Sequence, residues 1–241
     1  MMVAQLSGGA DLDFYIEGYA KFELFGQTLY FTTTHICLAI VFVIITVFAI
    51  IANRAIKKAE VSKAPSGFVN VLELLVETLD NMLVNTMGAK HGLKFSNYIG
   101  SLFTLLLVCN LSGLLGLRPP TADFGVTFPL ALISWFMIQY NGIKYQKWGK
   151  AKSLFEPIFL FFPINVISEF STPVSMSLRL FGNMFSGTIM MSLIYGLLGK
   201  VAIIWPSALH AYLDVFAGAL QAYVFIMLTM VFVSNQIGEE T

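Results

Sequence analysis

Apolar residues occupy 57% of the 241 positions, charged residues only 12%, and the formal net charge is zero. Several apolar runs exceed the roughly 18 residues a helix needs to cross a bilayer, which makes the chain a polytopic helical membrane protein. The balanced charge offers no basic surface for nucleic acid. Two cysteines, Cys37 and Cys109, lie in separate apolar runs without CxxC spacing. They make neither a disulfide framework nor a zinc site and read as small buried hydrophobes.

Residues 1–30 carry Asp11, Asp13, Glu17 and Glu23 against Lys21 alone. Lacking a basic start and an apolar core before a cleavage site, this segment is not a signal peptide and is expected outside the membrane. The first span is expected over residues 31–52, closed by Arg54, Lys57, Lys58 and Lys63, so the positive-inside rule puts the N-terminus outside. His35 near the outer end reads as an interfacial anchor. Over 66–94, Glu73, Glu77 and Asp80 interrupt apolar residues at helical spacing, which predicts an amphipathic surface helix, with His91 in its closing loop.

A second span over 97–117 returns the chain outward, and Arg118-Pro119-Pro120 to Gly125 reads as a solvated turn. The third span, 126–142, ends in Lys144, Lys147, Lys150 and Lys152. A helix start at Glu156-Pro157 then opens a segment over 156–198, far longer than a straight crossing and interrupted by Pro163 and Pro173, hence bent or strongly tilted. After Lys200 the last span runs over 201–235, leaving Glu239 and Glu240 in the cytoplasm. Ten Lys/Arg fall on the inner side of this topology, while Lys21, Arg118 and Lys200 fall outside. The fold class is therefore a single all-α membrane domain of about five transmembrane helices plus one amphipathic helix.

The fourteenth basic residue, Arg179, lies in the middle of the fourth span. A guanidinium cannot be deprotonated in a protein, and a charge at the bilayer centre costs ~3 kcal/mol on insertion scales. Such a residue needs a partner or a task. Thr172, Ser175, Arg179, Gly182, Asn183 and Ser186 recur at three- and four-residue steps, so one small, polar helix face surrounds the cation. Small residues there leave room for another backbone or a moving partner to pass. Glu169 lies ten residues, about 15 Å, nearer the cytoplasm along a straight helix. On the last span, Asp214, Gly218 and Gln221 share a face, with His210 one turn before Asp214. If Gln221 is level with Arg179, one carboxylate lies on each side of the arginine.

The sequence SLRLFGNMFSG around Arg179, together with LQAYVF around Gln221, resembles subunit a of F-type ATP synthases, the stator channel subunit. The resemblance covers nearly the whole chain after the first helix. It implies that Arg179 is the essential arginine of ion translocation, that Asn183 is the asparagine adjacent to it and Gln221 the glutamine of the last helix, and that Glu169 is the acidic residue before the Pro-Val-Ser element. Asp214 stands where relatives carry a histidine or glutamate of the outer half-channel. Thr188 stands at a site that is acidic in some relatives, which shifts proton relay toward Asp214. From their positions alone, His210 reads either as a lining residue of the outer path or as an interfacial anchor, and Ser175 either as a lining residue or as a helix-packing hydroxyl. The implied partners are a rotor ring of small c-type hairpins faced by the last two long, tilted helices, a b-type peripheral stalk, the other ATP synthase subunits and the lipid bilayer. No cofactor or metal is implied, and the expected location is a bacterial plasma membrane with the C-terminus in the cytoplasm.

Two rival classes leave no trace in the sequence. A stand-alone secondary transporter or channel predicts paired broken helices in an internal repeat, and the halves show no such similarity. An intramembrane hydrolase would carry His-Glu-x-x-His or Gly-x-Ser-x-Gly, and ATP chemistry a Gly-Lys-Ser/Thr loop. None occurs, so the chain is expected to be a non-catalytic subunit.

Overall fold

A computed structural model describes residues 18–24, 27–58, 67–115, 117–146, 149, 161–198, 209 and 211–237. Two antiparallel strands, β1 (Gly18–Leu24) and β2 (Gln27–Thr32), form a hairpin ahead of the membrane helices. Six helices follow: α1 (Thr33–Lys58), α2 (Gly67–Met87), α3 (Ala89–Leu111), α4 (Phe124–Gln146), α5 (Phe162–Leu198) and α6 (Gly218–Ile237). Short 3-10 turns at Ser112–Leu115 and Pro120–Ala122 join α3 to α4. A π-helical stretch, Ala211–Ala217, leads into α6. The body is the expected all-α membrane architecture, with the small hairpin added.

Among the described residues, four helical stretches are long and apolar enough to cross a bilayer: Thr33–Lys58, Ala89–Leu114, Phe124–Gln146 and Tyr212–Ile237. At 37 residues, about 55 Å, α5 is longer than any of them but is interrupted by Asn165, Glu169, Arg179 and Asn183. It continues as one helix through Pro173, while Pro163 sits in the first turn, where a missing N–H is harmless. The expected segment starts at Glu156 and Val201 lie outside the described residues.

Lipid tails are as apolar as leucine, so close packing rather than water exclusion holds such helices together. The fully buried side chains include Leu83, Ile99, Leu106, Leu180, Phe225, Ile226 and Met230, drawn from α2, α3, α5 and α6. By contrast α1 buries only Thr34, Cys37 and Val41, and its many exposed apolar side chains form a lipid-type surface. Both cysteines are free and buried, as expected.

Three sequence expectations are corrected here. The amphipathic helix does not run to residue 94: Gly88, with φ 77°, breaks it, and Ala89 already opens α3. His91 is therefore not a loop residue but sits in the first turn of α3. It is 8% exposed, with its ring edge-on to Tyr145 at 5.3 Å. Nor is the turn before α4 solvated: Pro120, Thr121 and Ala122 are buried. Asp123 accepts from the Gly125 N–H at 2.9 Å, capping α4, and from Thr34 Oγ1 at 3.1 Å, which ties the turn to α1.

Candidate functional site: a polar stripe between two carboxylate cavities

Helical periodicity divides α5 into two faces. Met176, Leu180 and Met184 go into the core at 3%, 0% and 6% exposure, while Ser175, Arg179, Asn183 and Ser186 all stand exposed on the opposite side. The stripe read from the sequence is thus an open surface. Among the described residues, no ion pair or hydrogen bond engages Arg179. Arg179 is thus an outward-facing cation in mid-helix with no partner among the described residues.

The amides sit one turn further along. Asn183 Nδ2 donates to Gln221 Oε1, joining α5 to α6. Gln221 is 3% exposed, and its own Nε2 has no partner among the described residues. Gln221 thus pairs with Asn183, which lies about one helical turn along α5 from Arg179.

Glu169 lies in a cavity of about 340 Å³ with Gln139, Asn165, Ser168, Thr172, Asn235 and Gln236 around it. Gln139 Nε2 donates to Glu169 Oε2 across the α4–α5 interface. The backbone there has its own explanation. Pro173 has no N–H, which frees the carbonyl four residues earlier. That carbonyl belongs to Glu169, and the Trp135 indole donates to it at 3.0 Å. Trp135 and Gln139, one turn apart on α4, thus hold the backbone and side chain of the same residue.

Asp214 sits on the π-helical stretch and faces the turn after α3. A Cβ on Gly113 would lie 3.1 Å from the Asp214 carboxylate, so any larger residue there would require the carboxylate to shift. Next to it, fully buried Asn110 donates to the Gly218 carbonyl at 2.8 Å and accepts from Thr121 Oγ1 at 2.8 Å. The π-to-α junction is thereby fixed to α3 and to the turn before α4. Asp214 also lines a small cavity of about 30 Å³ with Pro119, Asn183, Gly187 and Thr188. Thr188 donates to the Met184 carbonyl of its own helix at 2.9 Å. His210 lies outside the described residues.

Along α5 the Glu169 cavity reaches Thr172, and the Asp214 cavity begins at Asn183. Eleven residues separate them, about 16 Å of helix, and Arg179 lines neither. The sequence reading missed Gln139, Trp135, Asn110, Gly113 and Thr121. A lone amide in an apolar run was the available signal for Gln139 and Asn110. Pro173 marked the freed carbonyl at Glu169, but nothing local marked Trp135 as its donor.

Four long apolar helices among the described residues, with a polar stripe on α5 between two carboxylate cavities, define an integral membrane protein. A family model described as ATP synthase A chain matches residues 35–234, and the chain belongs to that family. It is similar to the Propionigenium modestum protein named ATP synthase subunit a, sodium ion specific, at 39% identity over 61% of this chain and 55% of that one. Similarity to ATP synthase subunit a of Trichlorobacter lovleyi is 36% over 83% of this chain and 84% of the relative. For the Bacillus velezensis protein of the same name, identity is 30% over 92% and 98%. Membership makes this chain a non-catalytic membrane subunit of ATP synthase, engaged in ion transport and ATP synthesis.

Proposed function

We propose that the chain is the ion-translocating stator subunit of the ATP synthase membrane sector, with two offset half-channels that meet at Arg179. The observation that carries this reading is the exposed Arg179, without a partner among the described residues, between two cavities that it does not line. A continuous water path would dissipate an ion gradient, whereas two paths broken by a fixed cation require a carrier. A ring of c-type hairpins, each with an ion-binding carboxylate, supplies it. The carboxylate gives up its ion on one side, passes Arg179 ionised, and reloads on the other.

In this mechanism Glu169 serves the cytoplasmic path, its carboxylate held by Gln139 among the amide and hydroxyl groups of Asn165, Ser168 and Thr172. Asp214 serves the outer path with Thr188 beside it, His210 is assigned to the same path from its sequence position alone, and Ser175 lines the surface that the ring passes. Asn183 and Gln221 brace α5 against α6 just beyond the arginine. The b-type stalk subunit holds the chain still while the ring turns. Each elementary charge crossing 100 mV delivers about 2.3 kcal/mol, so several ions per turn drive ATP formation elsewhere in the complex. The basic ends of α1 and α4 support a cytoplasmic position for their C-terminal ends in a bacterial plasma membrane.

The test is ATP-driven ion pumping and passive ion leak in vesicles carrying the assembled complex, native against Arg179→Ala. Pumping is expected to vanish while assembly persists and leak rises. Near-native pumping by the variant would overturn the reading. Running both assays with and without sodium ions identifies the ion carried.

A further inference from the structure

A cavity of about 380 Å³ opens between α1, α3 and α4, away from the polar stripe of α5. Its volume is about a dozen times the ~30 Å³ of a water molecule in the liquid, room for on the order of a dozen methylene-sized groups. The walls are apolar, with Leu38 and Phe42 from α1, Leu105 from α3, and Leu130 and Ile133 from α4. Phe42 and Ile133, 53% and 52% exposed, form its lips, so it opens sideways, where a bilayer lies against the protein. From Thr34 to Phe42 and from Gly125 to Ile133 is eight residues each, so the cleft runs about 12 Å along the helices.

One end is chemically different. There the cavity is lined by Thr34, His35, Asp123 and Gly125. Each Asp123 oxygen accepts one hydrogen bond, from the Gly125 N–H and from Thr34 Oγ1, and keeps lone-pair capacity for another. No cation pairs with this carboxylate among the described residues. A second acceptor follows from Pro129, which sits inside α4 and frees the carbonyl of Gly125. The equivalent carbonyl at Pro173 is taken up by Trp135, but no side chain among the described residues donates to Gly125. The mouth therefore presents a carboxylate and a carbonyl released from its i+4 helical bond above an apolar slot.

We propose that this cleft binds a bilayer phospholipid with a primary-ammonium headgroup, whose N–H groups donate to Asp123 and to the Gly125 carbonyl while one acyl chain fills the slot. An acceptor-lined mouth disfavours an anionic headgroup. A quaternary ammonium carries the same charge but no N–H, and so loses the hydrogen bonds.

The test uses the assembled complex in nanodiscs containing a photoactivatable phosphatidylethanolamine with its reactive group on the acyl chain. Adducts are located by peptide mass spectrometry. They are expected on the α4 peptide around Leu130–Ile133 and the α1 peptide around Leu38–Phe42. Unlabelled phosphatidylethanolamine should compete about tenfold better than phosphatidylcholine of the same chains, the scale of a hydrogen bond to a charged group. Asp123→Asn keeps a good helix cap, so it should fold and still be labelled, but with the headgroup preference abolished. Ile133→Trp, which fills the slot, should block labelling while the complex still assembles. Equal competition by the two lipids in the native complex, a preference that survives Asp123→Asn, or absence of adducts because another subunit covers the cleft would each overturn the proposal.

Discussion

The two carboxylates flanking Arg179 sit in opposite kinds of surroundings. Glu169 has about 340 Å³ of shared space and a wall of amides and hydroxyls, whereas Asp214 is pressed against Gly113 beside a cavity of about 30 Å³. A roomy polar cavity lets a carboxylate be solvated through several neighbours, so no one neighbour is indispensable. A close-packed carboxylate depends on the position of the backbone opposite it. Tolerance to substitution should therefore differ between the two sides of the arginine, even though both residues are acidic and both lie on the proposed ion path.

The largest effect sharpens what the two sides share: Arg179→Ala abolishes coupled pumping regardless of which cavity is intact, as measured in the vesicle assay above. Next, Gly113→Leu places a side chain on the Asp214 carboxylate and is expected to lower pumping by on the order of a hundredfold, ~3 kcal/mol of barrier. Gly113→Ala, with one carbon, should cost less. If Gly113→Leu pumps normally, the tight side is not a constraint and the contrast fails.

Asn110→Leu removes both hydrogen bonds that fix the π-to-α junction and is expected to destabilise the protein by ~1–3 kcal/mol, seen as a lower midpoint of detergent-solubilised thermal unfolding. On the roomy side, Gln139→Leu should reduce pumping only several-fold, because Asn165, Ser168 and Thr172 remain around Glu169. A loss as great as that of Gly113→Leu would mean that the two sides are equally intolerant. Smallest is Trp135→Phe, which keeps the ring but leaves the Glu169 carbonyl without its donor, at a cost of ~1 kcal/mol in stability and little in pumping.

The membrane class and the polar stripe were legible because each rests on a local regularity. Apolar run length marks a crossing, and three- and four-residue steps put Ser175, Arg179 and Asn183 on one exposed face. What escaped the sequence depends on contacts between distant segments. Gln221 pairs with Asn183, one turn from Arg179, because the register of α5 against α6 is set by packing that no local pattern encodes. The turn around Pro120 looks like a solvated loop from its prolines, yet Asn110 and Thr34 draw its polar groups inward. His91 looked like loop punctuation because the glycines around it suggested a longer break than the single residue Gly88 provides.

The length of α5 has a kinematic consequence. At about 55 Å it exceeds a ~30 Å hydrocarbon slab by some 25 Å, so it can keep its whole length within the slab only on a slope. On a slope, the ten residues between Glu169 and Arg179 separate them sideways as well as in depth. A body sweeping past parallel to the membrane would then meet the glutamate's level and the arginine's level at different moments, in an order reversed when the sweep reverses. The gradient of a single helix is enough to turn a vertical arrangement of charges into a schedule.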